Sequence, residues 1–435
     1  MRQIDLSADQ LIDALLALAA SESVCVLDSC GVGHLGSHLL IAGVRPVATI
    51  ETSSDDPEKT LDEFGELLSR PGLATIFTLS YEFGAKLQRT PWLPGPEPDV
   101  FAASFDCLVV HDYSSGATYL TGRADRFDEV ERLILASPKQ TRHHTRAERG
   151  IARSNFTRDG YISAVERVKQ NIRCGQTYQT NLTQQISVEL GKGRTAENIF
   201  ADLRKTHPAP FGAFIRRRGS TVVSASPERF FKVAGSKITA SPIKGTRPRG
   251  RTASEDDRLR AELLSSKKDI AENTMIVDLT RNDLGRICEY GSVSVGRLCE
   301  LEEHPTLFHL VSTVSGKLTG KCSYADIVRA LYPCGSITGA PKLSTMNIIS
   351  GLEQTPRGLS MGSIGVNIAV GFDGLEPAFE MNVAIRTMAV ADGRAVFSVG
   401  GGIVIDSHPS GEYDESLLKA KALLSAARAD LNPGN

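Results

Sequence analysis

The segment TASPIKGTRPRGRTASEDD, residues 239–257, decides how this chain is interpreted, because it changes from strand-like to loop-like around a single lysine. Lys244 lies between Ile243 and Gly245, and arginines follow at positions 247, 249, 251 and 258. A surface lysine needs no apolar setting, whereas an amine that must lose its proton is favoured by burial and by nearby cations. The segment therefore predicts a strand that ends in a loop, with a candidate nucleophile at Lys244.

The composition of the 435-residue chain is that of an ordinary globular protein, with 41% hydrophobic and 23% charged residues. A formal net charge of -2 provides no basic field, so we expect no nucleic-acid partner. No run of about 18 apolar residues occurs, so we expect no membrane span. The eight cysteines form no C-x-x-C pair and no zinc-binding spacing, which predicts reduced thiols in a cytoplasmic protein.

The order of predicted elements divides the chain into two units. Residues 1–135 mix short strand-like runs with helices, residues 136–155 are polar and basic without a period, and residues 156–435 form a second, larger unit. We interpret residues 136–155 as a linker. Runs of strands separated by runs of helices favour an α+β fold, with antiparallel sheets packed face to face and flanked by helices, over βαβ repeats.

Two pairs of carboxylates have the same spacing. Asp269 and Glu272 lie in KKDIAEN (267–273), on a helix that we expect to begin at Ser254, and Glu412 and Glu415 lie in GEYDES (411–416). Residues three apart share a helix face. Each pair alone is more typical of a solvated or capping pair. Together they favour a hard cation such as Mg²⁺, which prefers oxygen ligands and neutralises their repulsion.

Two segments could grip an anion. Arg386 in AIRT (384–387) is predicted in a strand, where a buried guanidinium needs either an internal salt bridge or a ligand carboxylate. Gly401 and Gly402 in GGGIV (400–404) would let main-chain N–H groups approach an anion, although a lone glycine run more often forms only a loop.

Two further titratable residues have structural alternatives. Glu228 in SPERFF (226–231) follows a predicted strand, and it could form a salt bridge with Arg229 or act as a general acid. His309 precedes a strand-like run and could be an ordinary core or surface histidine.

These segments, with GQTYQTNLTQ (175–184), HLVSTVSG (309–316) and GSITGAPK (335–342), resemble the chorismate-utilising enzyme family from about Phe156 to the end of the chain. LDSC (27–30) and LSYEFGAKL (79–87) resemble the domain that precedes this core in the large subunits of anthranilate and aminodeoxychorismate synthases. Within the family, a lysine at this position resembles the aminodeoxychorismate synthases, which also have lysine there. The matching position is alanine in anthranilate synthases.

The resemblance implies a role for each matching residue. Lys244 would be the nucleophile, Glu228 the general acid, and His309 a neighbour of the substrate ring. Mg²⁺ would be the cofactor. The remaining implied positions are direct metal ligands Glu272 and Glu415, ligands through water Asp269 and Glu412, substrate-binding residues Thr246, Thr338, Arg386, Gly401 and Gly402, and an amino-acid effector pocket at Ser29.

The implied reaction is the conversion of chorismate and ammonia into 4-amino-4-deoxychorismate for p-aminobenzoate and folate synthesis. The sequence contains no cysteine, histidine and glutamate arrangement of a glutaminase, so we expect a glutamine amidotransferase subunit to supply the ammonia. An anthranilate or isochorismate synthase, or a non-catalytic amino-acid sensor, is the alternative. Cys334, Ser360 and Val366 depart from the family pattern, which commonly has a glycine and two tyrosines there.

Overall fold

The computed structural model describes residues 1–36, 38–53, 55–137, 148–303 and 307–431. Residues 138–147 of the predicted linker lie outside the described residues. Within the rest of that linker, Gly150–Ser154 forms a strand, so the irregular segment ends before residue 150.

The strands occur mostly in runs that helices separate. In chain order the strands are β1 (Arg2–Ile4), β2 (Val24–Asp28), β3 (Leu39–Val44), β4 (Ala48–Thr52), β5 (Ala74–Leu79), β6 (Val100–Phe105), β7 (Cys107–Asp112), β8 (Ala117–Gly122), β9 (Gly150–Ser154), β10 (Gln179–Glu189), β11 (Phe211–Arg216), β12 (Thr221–Ser226), β13 (Arg229–Ala234), β14 (Lys237–Ala240), β15 (Ile243–Pro248), β16 (Ser294–Glu303), β17 (Leu307–Lys317), β18 (Gly339–Ala340), β19 (Ser363–Ile368), β20 (Ala378–Asn382), β21 (Thr387–Ala391), β22 (Arg394–Ile403) and β23 (Ala429–Leu431).

The helices are α1 (Ala8–Leu18), α2 (Pro57–Leu68), α3 (Tyr81–Leu87), α4 (Phe127–Ala136), α5 (Arg158–Arg173), α6 (Ala196–Thr206), α7 (Ala253–Ser265), α8 (Lys267–Gly285), α9 (Tyr324–Leu331), α10 (Lys342–Leu352) and α11 (Pro409–Ala427). Two 3₁₀ turns span Ala124–Arg126 and Gly335–Ile337. In the described ranges, none of these helices combines the length and the apolar character that crossing a bilayer requires.

Two large sheets contain all of these strands. The first runs β1-β8-β7-β3-β2-β11-β12-β21-β22-β10-β9-β23, with β18 paired to β10, and the second runs β15-β17-β14-β13-β20-β19-β5-β6-β4, with β16 paired to β17. The pairs are antiparallel except for β23 with β9. The predicted α+β class with antiparallel sheets is confirmed.

The side chains along a strand alternate between the two faces of its sheet, and this alternation forms the separate apolar layers of the fold. On β2, Val24 and Val26 face an apolar cluster shared with α1, α4, α6 and α11, whereas Cys25 faces a cluster shared with β5 and β6 of the other sheet. Because neighbouring side chains of a strand point to opposite faces, one strand contributes to both cores. A third cluster lies between the second sheet and helices α2, α3, α8 and α9. The sheets therefore pack face to face between two layers of helices.

Both sheets combine strands from the two predicted units. Leu27 of β2 is opposite Ala213 of β11, and Ile76 of β5 is opposite Val366 of β19. Residues 1–135 and 156–435 are therefore joined by main-chain pairing in both sheets. Such pairing uses backbone groups that every residue carries, so residue type gave no sign of it.

The helix that begins at Ser254 in the prediction is two helices. Thr252 caps α7 by accepting a hydrogen bond from the Glu255 amide, and Ser266 caps α8 by accepting one from the Asp269 amide at 3.3 Å. The predicted start at Ser254 is therefore wrong, because the Thr252 hydroxyl caps the first turn of α7 and the Ser266 hydroxyl caps the first turn of α8. The break at Ser266 places Asp269 in the first turn of α8.

Candidate active site

Lys244 lies where β15 is irregular. β15 pairs with β17, but the register shifts between Lys244 and Thr246, and Gly245 at the bulge has φ +79°. A Cβ on Gly245 would lie 2.9 Å from Leu263 and 3.0 Å from Asp269. Only glycine therefore suits this position by both its backbone conformation and its space. At the bulge the strand packs closely against the start of α8, and Lys244 lies half-buried beside the bulge.

The positive charge of Lys244 acts on the pKa of three of the predicted acidic residues. Its ammonium favours the ionised forms of Glu228, Glu272 and Glu415, so it opposes any rise in their pKa. These residues come from three separate segments of the sequence, and the structure brings them around the lysine.

The arginines that follow Lys244 are paired with carboxylates. Arg247 donates to Glu262 at 2.8 Å and to Asp269 at 3.2 Å, and Arg249 donates to Asp256 at 2.8 Å. Their charges are therefore compensated locally. This pairing weakens the idea that Arg247 and Arg249 act on the lysine.

Glu228 lies in the turn between β12 and β13 and is only 8% exposed. Burial raises the pKa of Glu228, although the Lys244 ammonium and the Ser336 hydroxyl oppose this change. Arg229 instead pairs with Glu380 at 2.6 Å, so the alternative of a Glu228–Arg229 salt bridge is not what the turn forms. A buried carboxyl group with a raised pKa, next to an amine, is suited to donate a proton.

His309 and Thr246 are opposite each other on β17 and β15. The Thr246 hydroxyl and the His309 Nδ1 are 2.8 Å apart, which is a hydrogen bond whose direction depends on the tautomer. His309 is buried, whereas Thr246 is exposed. The two residues therefore form one polar pair beside Lys244.

The two carboxylate pairs meet between α8 and α11. The Lys268 ammonium is 3.9 Å from Glu272 and 3.8 Å from Glu412, so one lysine bridges the helices. The Glu272 Oε1 atom is buried and has no hydrogen-bond partner among the described residues. Burial raises the pKa of Glu272, and Lys244 and Lys268 oppose that rise. This oxygen, orphaned of hydrogen bonds and with an ammonium 3.9 Å away, is the kind of atom that a bound cation would satisfy.

The other pair adjoins the glycine run. A Cβ on Gly401 would lie 3.1 Å from Glu412 and 3.9 Å from Glu415, so the absence of a side chain leaves room for these carboxylates. Glu412 is buried and accepts a hydrogen bond from Ser407 at 2.6 Å. Burial alone would raise the pKa of Glu415, but lysines, Lys419 first among them, lower it. Within the described ranges, no group of three or more acidic, histidine or cysteine side chains lies close enough together to hold a metal ion.

Gly402 and Thr338 are linked through one strand. Gly402 is opposite Asn181 on β10, and the Asn181 amide donates to the Thr338 carbonyl at 2.8 Å. The Thr338 hydroxyl is buried and donates to the Cys334 carbonyl at 3.0 Å. On the other side of β22, β21 pairs only with residues 394–396. This strand therefore leaves the main chain at Gly402 accessible from that side.

Arg386 is not in a strand, so that prediction is wrong. It lies in a bend between β20 and β21 with φ +50°, and its carbonyl accepts the Ala225 amide at 3.0 Å. The left-handed conformation interrupts the strand that the apolar neighbours suggested. Burial lowers the pKa of Arg386, and the guanidinium has no salt bridge within the described part of the chain. The alternative of an internal salt bridge is thus not realised, which favours an external anion.

The departures from the family pattern have structural partners. Val366 is buried in the cluster between the two sheets. Ser360 donates to the Ser398 carbonyl at 3.2 Å and accepts its amide at 2.9 Å. Cys334 lies 3.3 Å from the Ser336 hydroxyl. Ser29 lies in the loop after β2, away from these residues in the chain, and its buried hydroxyl has no hydrogen-bond partner among the described residues.

Sequence reasoning missed two residues of this site. Lys268 precedes Glu272 by four positions, a spacing that places side chains together on a helix, so it could have been found. Ser336 contacts Glu228 from the 3₁₀ turn before Thr338 and had no comparable signal, because the contact depends on tertiary packing.

Comparisons with known proteins extend this picture. The family of chorismate binding enzymes matches residues 22–425. The chain is 34% identical over 430 residues to aminodeoxychorismate synthase component 1 of Bacillus subtilis, covering 90% of this chain and 89% of the relative. It is also 34% identical over 421 residues to anthranilate synthase component 1 3 of Haloarcula marismortui, covering 88% and 82%.

The solved structures include anthranilate synthase component I from Streptococcus pneumoniae, with TM-score 0.77, 27% identity, and coverage of 90% of this chain and 93% of that chain. The menaquinone-specific isochorismate synthase of Escherichia coli shares the fold with TM-score 0.73 at 15% identity, over 98% and 92% of the two chains. The family match begins well before Phe156, so it includes strands of the N-terminal unit as well as the candidate site. The chain therefore belongs to the family of chorismate binding enzymes.

Proposed function

We propose that the chain is the chorismate-binding subunit of an aminodeoxychorismate synthase, which converts chorismate and ammonia into 4-amino-4-deoxychorismate. The observation that carries the proposal is Lys244, held at a strand bulge with its charge near Glu228 and near the carboxylates of α8 and α11. A nucleophile and a buried acid in one site are what a displacement on a ring requires.

Two steps would divide the displacement. The neutral Lys244 amine attacks C2 of the ring, both conjugated ring double bonds shift by one position, and the C4 hydroxyl leaves as water with a proton from Glu228. Ammonia then attacks C4, both double bonds shift back, and the lysine amine is released. Each step forms one bond and breaks one, which is the benefit of covalent catalysis.

Substrate binding would use the anion-binding groups. The Arg386 guanidinium and the main chain around Gly401 and Gly402 would hold a carboxylate, and Thr338 would fix the neighbouring loop. His309, with its partner Thr246, would contact the ring. Since Val366 is buried in apolar surroundings, the second carboxylate contact that a tyrosine makes in relatives would be absent.

The acidic residues suit magnesium. Glu272 and Glu415 would be direct ligands, and Asp269 and Glu412 would act through water. The orphaned oxygen of Glu272 supports this assignment. A bound Mg²⁺ would neutralise the substrate carboxylate and act as a template. Lys268 and Lys419 would then share their carboxylates with the ion.

The ammonia would come from a glutamine amidotransferase subunit, because the sequence contains no glutaminase residues. The product would serve p-aminobenzoate and folate synthesis in the cytoplasm. Ser29 would belong to an amino-acid effector pocket, for which its unpartnered hydroxyl offers a hydrogen-bonding group.

Replacement of the nucleophile tests the proposal. With chorismate, Mg²⁺ and ammonium, the wild-type chain should form 4-amino-4-deoxychorismate, identified by chromatography and mass. Lys244→Ala should lose this product by at least about 10³-fold, as is typical when a nucleophile is removed. Lys237→Ala, an exposed lysine on β14, is the matched control and should keep full activity.

A second measurement tests the covalent step. Without ammonium, wild-type protein should carry a chorismate-derived mass on the peptide containing Lys244. Accumulation of isochorismate without an adduct would indicate that the lysine activates water, and anthranilate would indicate amination at C2. Wild-type product formation by Lys244→Ala would refute the proposal.

A further inference from the structure

A row of polar side chains crosses three strands beside the candidate site. Thr246 on β15 is opposite His309 on β17, and His309 is opposite Glu302 on β16. Directly opposed residues of antiparallel strands project to the same face. Thr246, His309 and Glu302 therefore occupy neighbouring positions on one face of the second sheet, and the hydrogen bond between Thr246 and His309 fixes one end of the row.

The other end of the row is held by a residue from the N-terminal unit. His34 lies in the loop between β2 and β3, and its Nδ1 is 2.6 Å from the Glu302 carboxylate. The His34 side chain is only 1% exposed. Its ring also packs edge-on against Phe211, with ring centres 6.2 Å apart. His34 and Glu302 are 268 positions apart in the sequence, and their contact lies at the strand position next to His309.

β16 needs such an external contact. Among the described residues it is an edge strand that pairs only with β17, most of its residues are exposed, and its register shifts twice. An edge strand with few buried contacts has low local stability. A buried hydrogen bond at Glu302 therefore restrains a part of the sheet that packing alone holds weakly.

We infer that His34 and Glu302 are positioning residues that hold His309 in place, so that the loop between β2 and β3 contributes to the active site. The inference rests on the proposed function in one respect, namely that His309 contacts the substrate ring. The same loop begins at Ser29, so a change in the loop's conformation would be transmitted to His309 through the His34–Glu302 contact.

The experiment reads the His309 ring directly. Protein labelled with ¹⁵N-histidine gives ring signals, and His309→Gln identifies the signal of His309. His34→Phe keeps the ring volume but removes the hydrogen bond, and it should move the His309 signals and lower kcat roughly tenfold, as expected for loss of a hydrogen bond to a charged group. His34→Gln, whose amide can still donate to Glu302, should recover part of both effects.

His38→Ala is the matched control, because His38 is an exposed histidine of the same loop whose ring Nδ1 is 2.7 Å from the Gly36 carbonyl. It should change neither readout. If His34→Phe does not fold, Glu302→Met, which removes the acceptor for His34, takes its place, with the same expected shift. Unchanged His309 signals and turnover in the variants that remove the contact would overturn the inference. The ring signals do not depend on which product the enzyme makes. Failure of the proposed function can therefore be distinguished from failure of this inference.

Discussion

Arg357 offers the sharpest test of how the core supports the site. Its guanidinium is fully buried and donates to both Glu353 oxygens, at 2.8 and 2.7 Å. It also donates to the Ile337 carbonyl at 2.7 Å and to the Asn181 carbonyl at 2.6 Å. These carbonyls lie next to Thr338 and opposite Gly402. One side chain therefore fixes two segments that we propose hold the substrate.

Arg357→Met removes the cation and leaves the buried Glu353 carboxylate with the Thr183 amide, 2.8 Å away, as its remaining hydrogen-bond donor. Breaking a buried ion pair from one side costs about 3–5 kcal/mol of the free energy of unfolding. The double variant Arg357→Met with Glu353→Gln removes the stranded charge and should recover about half of that loss. We expect both variants to bind chorismate more weakly, because the two carbonyls lose their donor.

Urea unfolding, followed by circular dichroism and by the fluorescence of the single tryptophan, measures these changes. Arg394→Met is the control, since Arg394 forms an exposed pair with Glu189 at 3.7 Å. Its cost should stay below about 1 kcal/mol. A loss for Arg357→Met no larger than that of the control, or a double variant no more stable than the single, would refute the reasoning.

Two further predictions concern protonation and metal binding. Burial raises the pKa of Glu82 to about 7, so the folded state holds a proton that the unfolded state releases near 4.5. The free energy of unfolding should therefore fall as pH rises from about 5 to 8. The contribution of this group to that fall is on the order of 3 kcal/mol. Urea titrations across that range should show a flatter pH dependence for Glu82→Gln, and parallel curves would contradict the assignment. Glu272→Gln should weaken Mg²⁺ binding, measured by calorimetry, at least tenfold, whereas Asp278→Asn on the exposed side of α8 should leave it unchanged; equal affinity in both variants would remove Glu272 from the metal site.

Local patterns predicted much of the architecture. Thr157 accepts the Gly160 amide at the start of α5, and threonine is a residue type that commonly caps helices. The turn at Glu228 also has the predicted character, whereas the prediction that a strand ends in a loop at Lys244 is wrong, because β15 begins at Ile243 and continues to Pro248. The cap and the turn depend on side chains next to each other in the sequence, so a single sequence contains their causes.

Features set by distant segments could not be predicted in the same way. The bend at Arg386 depends on a main-chain bond to β12, and the contact between His34 and Glu302 joins residues whose separation gives no periodic signal. The functional assignments followed from long motifs rather than from residue properties, since each carboxylate pair alone would have been interpreted as a solvated surface.

The sharing of both sheets has a consequence for synthesis of the protein. β2 gains its partner β11 only when residues 211–216 have left the ribosome, and β5 waits for β19, at residues 363–368. The nascent N-terminal third therefore exposes two apolar strand edges during most of translation. Long-range pairing of this kind slows folding and leaves unpaired edges open to aggregation. We expect the chain to complete its fold after release, with chaperones protecting β2 and β5 until then.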